Sequence, residues 1–358
     1  MKLLFLLLFI LTSDPHWQIL KTANSVNGRS ECGVASVGGK LYLLGGDGPA
    51  NNVEVFDPST NTWTKKSVAP VAFNHCQPVG YQNKIYVLAA FSGGGFPNQG
   101  NLTGPLIYDI QKDSWQNGAD LDSARRRGAA GAALYNGKLY LVCGIQHGHS
   151  SGTTDMFDVY DPATNTWTAL PNAPHIRDHC AAAVVGDKLY IAGGRNTSYH
   201  EPNNFMAFFA KTVLEVDCYD FNTGKWLTPD AKLPLGSGGG SMVNLDGKLY
   251  YMGGERATDK EQNRSRKNVY YLDPSTKDAW KEADSLKEAR NGMAAAVINH
   301  TIYVFGGTGG PGGPRPGAGN NPPMPMPPDG KDSLHQRPPG SVPHPPAGPS
   351  PLEIFSEK

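Results

Sequence analysis

Two sets of polar residues stand at fixed offsets before a recurring triplet, Lys or Thr followed by Leu or Ile and then Tyr. Eleven residues before it come Arg29, Phe73, Arg127, Arg177, Ser237 and Arg290; nine before it come Glu31, His75, Ala129, His179, Gly239 and Gly292. Arginine forks suit carboxylates and sulfates, so an Arg/His surface suits an acidic or polyhydroxylated ligand such as a carbohydrate. Residues two apart share a face of a strand. Arg29, Glu31, His75, Arg127, Arg177, His179 and Arg290 are therefore expected to line one polar pocket. Arg125 and Arg126 lie just upstream of Arg127, and His147, His149, His175, Tyr199 and His200 fall on intervening loops.

The elements that position these residues are repeated. "KLYLLGG" at 40–46 returns as "KIYVLAA" (84–90), "KLYLVCG" (138–144), "KLYIAGG" (188–194), "KLYYMGG" (248–254) and "TIYVFGG" (301–307). A second strand then runs into an Asp-Pro or Asn/Gly turn and restarts at Trp63, Trp115, Trp167, Trp226 and Trp280. This pattern resembles kelch repeats, in which a period of about 50 residues makes one four-stranded propeller blade. The resemblance implies an all-β, six-bladed kelch propeller, akin to the central domain of galactose oxidase. One blade cannot bury both faces alone; six around an axis bury both, with Tyr and Trp filling the wedges.

The sixth copy lacks a following Trp, and the missing one is Trp17 in "DPHWQIL". Residues 17–20 are therefore expected to pair with 352–355, closing the ring in the last blade. The expected organisation is a signal peptide at 1–13 and one propeller over 14–358. Its blades are about 29–72, 73–124, 125–175, 176–235, 236–288, and 289–358 with 14–28. Within blade 6, residues 308–351 hold 15 of the 29 prolines. That composition cannot build a sheet and predicts a disordered or polyproline-like insertion.

A nine-residue apolar run at 3–11 is too short for a bilayer, which needs about 20 residues, and fits the core of a signal peptide. Secretion is expected, with sequons at Asn101, Asn196, Asn263 and Asn299 as N-glycosylation sites. The five cysteines would permit two disulfides. Three of them, Cys32, Cys76 and Cys180, occupy one repeat position on inner strands that diverge. A disulfide needs Cα atoms within about 7 Å, so buried free thiols are expected. With Lys plus Arg at 32 and Asp plus Glu at 32, no basic surplus speaks for nucleic acid or an anionic membrane. A monomer is expected.

The long insertions 91–105, 145–156, 195–212, 255–267 and 308–351 share one face with the polar rings, and function concentrates on such loops. The expected function is a secreted binding module for a small or linear polar ligand, glycan or matrix component, without catalytic residues or cofactor. An extracellular protein bound through the Pro-rich loop is the other expected partner. One alternative is a carbohydrate-active enzyme. By resemblance to galactose and glyoxal oxidases it would use copper, with His75, His179, His200, Tyr199, Cys76 and Cys180 as candidates. By resemblance to a secreted six-bladed sialic acid epimerase it would need only the Arg ring and Glu31. A second alternative is a structural matrix protein. The runs "NHCQPVGYQNKIYV", "RRRGAAGAALYNGKLYLV" and "IRDHCAAAVVGDKLYIAGGR" also resemble a set of secreted kelch proteins known mainly from sequence.

Overall fold

The structure, a computed structural model, describes residues 16–258, 261–308 and 351–357, without the side chains of 261–263 and 308. The expected signal peptide and residues 309–350 of the Pro-rich insertion lie outside these residues. Six sheets of antiparallel strands follow one another around an axis. The innermost strands are Cys32–Val37, Val79–Tyr81, Gly131–Tyr135, Asp178–Val185, Gly238–Leu245 and Asn291–Ile298. Each "KLY" repeat forms the second strand of its blade, from Lys40–Gly45 round to Thr301–Thr308.

Local chemistry fixes the turns. The hairpins at Asn136-Gly137 and Asp246-Gly247 hold both central residues at positive φ (47° and 74°, 51° and 88°), as a two-residue hairpin turn requires. After the third strand, an Asp side chain accepts the backbone N–H two residues on. Asp57 does so from Ser59, Asp109 from Gln111, Asp161 from Ala163, Asp220 from Asn222 and Asp273 from Ser275. This is why an Asp recurs before every outer Trp.

The core is six inter-blade wedges. Each cluster joins residues of two neighbouring blades, as where Trp63 of blade 1 meets Phe305 of blade 6 at 5.2 Å between rings. The wedge between blades 4 and 5 joins Tyr190, Ala192 and Cys218 to Met242, Tyr251 and Trp280.

The ring closes as expected. Gln18–Leu20 pairs antiparallel with Leu352–Ser356, with Gln18 opposite Ile354 and Leu20 opposite Leu352. Trp17 is fully buried, its ring 5.3 Å from that of Phe355, and its backbone N–H donates to Asp284. The last blade thus contains both ends of the folded chain.

Candidate functional site at the channel mouth

The six residues nine before the repeat all adopt the left-handed region: Glu31 (φ 56°), His75 (56°), Ala129 (51°), His179 (52°), Gly239 (67°) and Gly292 (62°). Their backbones form a chain around the channel. Glu31 N–H donates to Gly292, His75 to Glu31, Ala129 to His75 and His179 to Ala129, at 2.7–3.0 Å. Blades 5 and 6 use glycine here, the residue that meets this conformation without cost. Glutamate and histidine carry a penalty of roughly 1–2 kcal/mol each.

The arginines do not share this surface. Arg127 and Arg177 are completely buried, and Arg290 is 2 % exposed. Each braces its own blade: the guanidinium donates to the carbonyl at the first of the repeat's two small residues (Gly45, Cys143, Gly193, Gly306). It also pairs with an acid on the third strand, Arg29 with Glu54, Arg127 with Asp158, Arg177 with Asp217 and Arg290 with Glu353. Where the arginine is absent, the acid is absent too: blade 2 has Phe73 with Leu106, and blade 5 has Ser237 with Tyr270. The expectation of one Arg/His pocket is corrected on this point. Alternation along a strand assumes extended backbone, and the positive φ at the ring residues breaks it. Glu31, His75 and His179 stay on the channel while Arg29, Arg127, Arg177 and Arg290 turn into the blades.

The channel holds a cavity of about 330 Å³. Alanine and glycine are the commonest residues of its wall, including Ala132, Ala182, Gly240 and Ala295, and Glu31, His75 and His179 line it as well. Gln77 crosses one layer deeper, bonding Ala132 N–H, Ala182 N–H and Ala182 C=O.

His149, carried by the hairpin of Ile145–His147 and Ser151–Thr153, completes a trio with His75 and His179. The three rings lie 5.0–5.1 Å apart, centre to centre. Each is oriented through Nδ1: His75 by Asn74 Oδ1 (2.7 Å), His149 by Gln99 Oε1 (3.2 Å) and His179 by Asp178 Oδ1 (2.5 Å). Asp178 is itself fixed by Thr153 Oγ1 and by Thr197 N–H and Oγ1. Burial pushes the imidazoles of His75 and His179 well below the usual histidine range, and Arg195 adds to this. Both rings are therefore neutral at pH 7, with Nδ1 protonated and Nε2 bearing a lone pair. His179 Nε2 is buried and has no hydrogen-bond partner. His75 Nε2 stands 3.3 Å from Glu31 Oε2.

The other histidines expected on this face have different roles. His147 is exposed, and His175 pairs with Asp217. Both ring nitrogens of His200 contact carbonyls, of Phe205 and Ser150. Tyr199 donates to Glu201 and lies under Lys211. The six copper candidates therefore do not converge as a set. Asp178, Gln77 and the Arg195–Glu255 pair (2.8 Å) escaped the sequence reading. Of these, only Arg195 and Glu255 carried a signal, each replacing the residue after a double glycine.

A model of the KLHDC2/KLHL20/DRC7 Kelch-repeats domain matches residues 5–194 and 169–307. The chain belongs to the kelch-repeat family. Among curated relatives, Kelch-like protein terF of Aspergillus terreus is 27 % identical over 297 residues, 78 % of this chain and 61 % of that one. Human Kelch-like protein 23 is 24 % identical over 280 residues, 75 % of this chain and 43 % of its own length. The chain thus spans about half the length of the relatives it matches. The solved structure of YjhT superposes with a TM-score of 0.67 at 15 % identity, over 81 % of this kelch chain and 94 % of that one, which shows the fold. Kelch propellers serve as protein-interaction modules, and the family places this chain among them.

All five cysteines of the kelch propeller are free thiols, four buried and Cys76 half-buried. Burial pushes the Cys32 thiol up to about 12 and Cys218 up to about 11. Burial raises the Cys76 thiol further still, so alkylation of the native protein is expected to be slow at all three, and denaturation without reductant to release five reactive thiols. Disulfide-linked peptides in a non-reducing digest would contradict this.

Proposed function

We propose that this kelch propeller is a secreted binding module that takes a small polar ligand, glycan in class, at the channel mouth. The observation that carries the reading is the 330 Å³ cavity lined in part by Glu31, His75 and His179, polar residues held in a backbone conformation that favours glycine. Beside His149 stand two exposed aromatic rings, Phe96 (56 % exposed) and Phe205 (39 %), edge to face at 6.1 Å. A sugar ring has one apolar face and a hydroxyl rim, and this pairing offers a partner to each. The four bracing arginines, Arg29, Arg127, Arg177 and Arg290, have no part in the recognition, because their blades occupy them.

Secretion rests on the apolar run at 3–11, and the fold sets one condition on it. Trp17 closes the ring, so cleavage has to fall before it, and N-terminal sequencing of protein from the medium should begin at or before Trp17. Of the sequons, Asn299 sits exposed on a hairpin turn, whereas the Asn101 amide donates inward to the Gln146 carbonyl. Glycosylation is accordingly expected at Asn299 more readily than at Asn101. A glycan array probed with the purified protein tests the binding reading. Saturable binding to a defined glycan class is expected, and the absence of any across the array would remove the reading.

A further inference from the structure

From the mouth geometry we propose that His75, His149 and His179, with Glu31 as a fourth ligand, bind one divalent transition-metal ion of the zinc class. One potential ligand atom from each histidine lies within 4.8 Å of the other two. A tetrahedral site with Zn–N bonds of 2.0–2.1 Å sets its nitrogens about 3.3 Å apart, so closure needs side-chain shifts of about an ångström. Every ring already carries the orienting contact that metal-bound histidines have. Nδ1–H donates to the oxygen of Asp178, Asn74 or Gln99, which turns the Nε2 lone pair away from that support.

Two further observations point to a missing cation. His179 Nε2 is an acceptor with no partner, in a side chain only 3 % exposed. Such an orphaned buried nitrogen needs an explanation. His75 Nε2, with Nδ1 donating to Asn74, faces the Glu31 carboxylate at 3.3 Å, so two acceptors oppose each other. A metal ion between them would turn that opposition into shared ligation. The surrounding charge includes the carboxylates of Glu31, Asp178 and Glu255, and the guanidinium of Arg195 is already paired by Glu255. Three imidazoles and one carboxylate suit zinc, copper, nickel or ferrous iron far better than calcium or magnesium. Asp178 is a positioning residue, acting through His179.

Metal binding does not depend on the glycan reading, and its test contains no glycan. Untagged full-length protein is purified without chelator, dialysed and analysed for metal. It is then stripped and titrated with Zn²⁺ and with Co²⁺, whose visible absorption reports nitrogen ligation. About one equivalent of metal, with a Co²⁺ band, is expected. His149 lies on a surface hairpin, so His149→Ala should lose the band, and His149→Phe should lose it while keeping the ring packing against Phe91 and Phe96. Asp178→Asn should weaken binding roughly 10–100-fold, the loss typical of an orienting partner. A wild-type protein that holds no metal and gives no Co²⁺ band overturns the proposal. So does a His149→Phe variant that binds as the wild type does; the opposed pair at Glu31 and His75 is then bridged by a proton.

Discussion

Arg177→Ala is expected to destabilise the propeller by about 3–5 kcal/mol, because it leaves the buried Asp217 without its guanidinium, held only at Oδ1 by His175 and Thr228. Arg177 and Asp217 are both fully inaccessible, 2.8 Å apart, and Arg177 also holds the carbonyls of Gly193 and Glu215. The loss should appear in chemical denaturation as a lower midpoint with little change of slope. The protein supplies its own control. Blade 2 fills the same two places with Phe73 and Leu106, so an apolar pair is compatible with the architecture. Arg177→Leu combined with Asp217→Leu should therefore recover a large part of what Arg177→Ala loses, since an apolar replacement of a buried pair leaves no charge behind. If Arg177→Ala costs under about 1 kcal/mol, the side chain is not a brace, and its exclusion from the binding site falls with it.

Trp17→Ala is expected to cost about 3–5 kcal/mol, the range for truncating a fully buried large aromatic. Trp17 packs with Phe355, Tyr250, Leu286 and Met252 in the wedge between blades 5 and 6. Deleting residues through Leu20 should cost more, since it also strips Leu352–Ser356 of its outer partner and leaves an open sheet edge. The deletion protein should unfold at lower denaturant and aggregate more readily. If its midpoint matches that of the full chain, the ring does not depend on the N-terminal strand, and the blade boundaries need redrawing.

The fold was legible because its signals are large and repeated. Six Tyr-containing strands, five Asp turns and a displaced sixth Trp give the blade count, the strand order and the closure without any long-range contact. The mouth was half legible. Its location followed from repeat offsets, and His149 could be assigned to the right face. The split between arginines and histidines was not, because residue type does not encode a positive φ at Glu31, His75 or His179; if anything, Glu and His argue against it. Asp178 was silent for a related reason. Its role depends on Thr153 and Thr197, which reach it from two insertions whose lengths give no hint of where they return. The pairing of Arg with acid, present in four blades and absent from both partners in two, was readable in the repeats; the acid column was not part of the alignment that exposed the arginines.

On the proposed reading, recognition belongs to the histidine–glutamate mouth, and neither the bracing arginines nor the Pro-rich insertion takes part. Affinity for the strongest glycan should be measured by titration calorimetry on three proteins: wild type, Glu31→Gln with His179→Asn, and a chain lacking 312–348. Asparagine tolerates the left-handed backbone at position 179, so the double variant should keep the fold. The account predicts at least a tenfold loss in the double variant and wild-type affinity in the deletion. Wild-type affinity in the double variant, with binding lost in the deletion, would contradict it and move recognition to the Pro-rich segment.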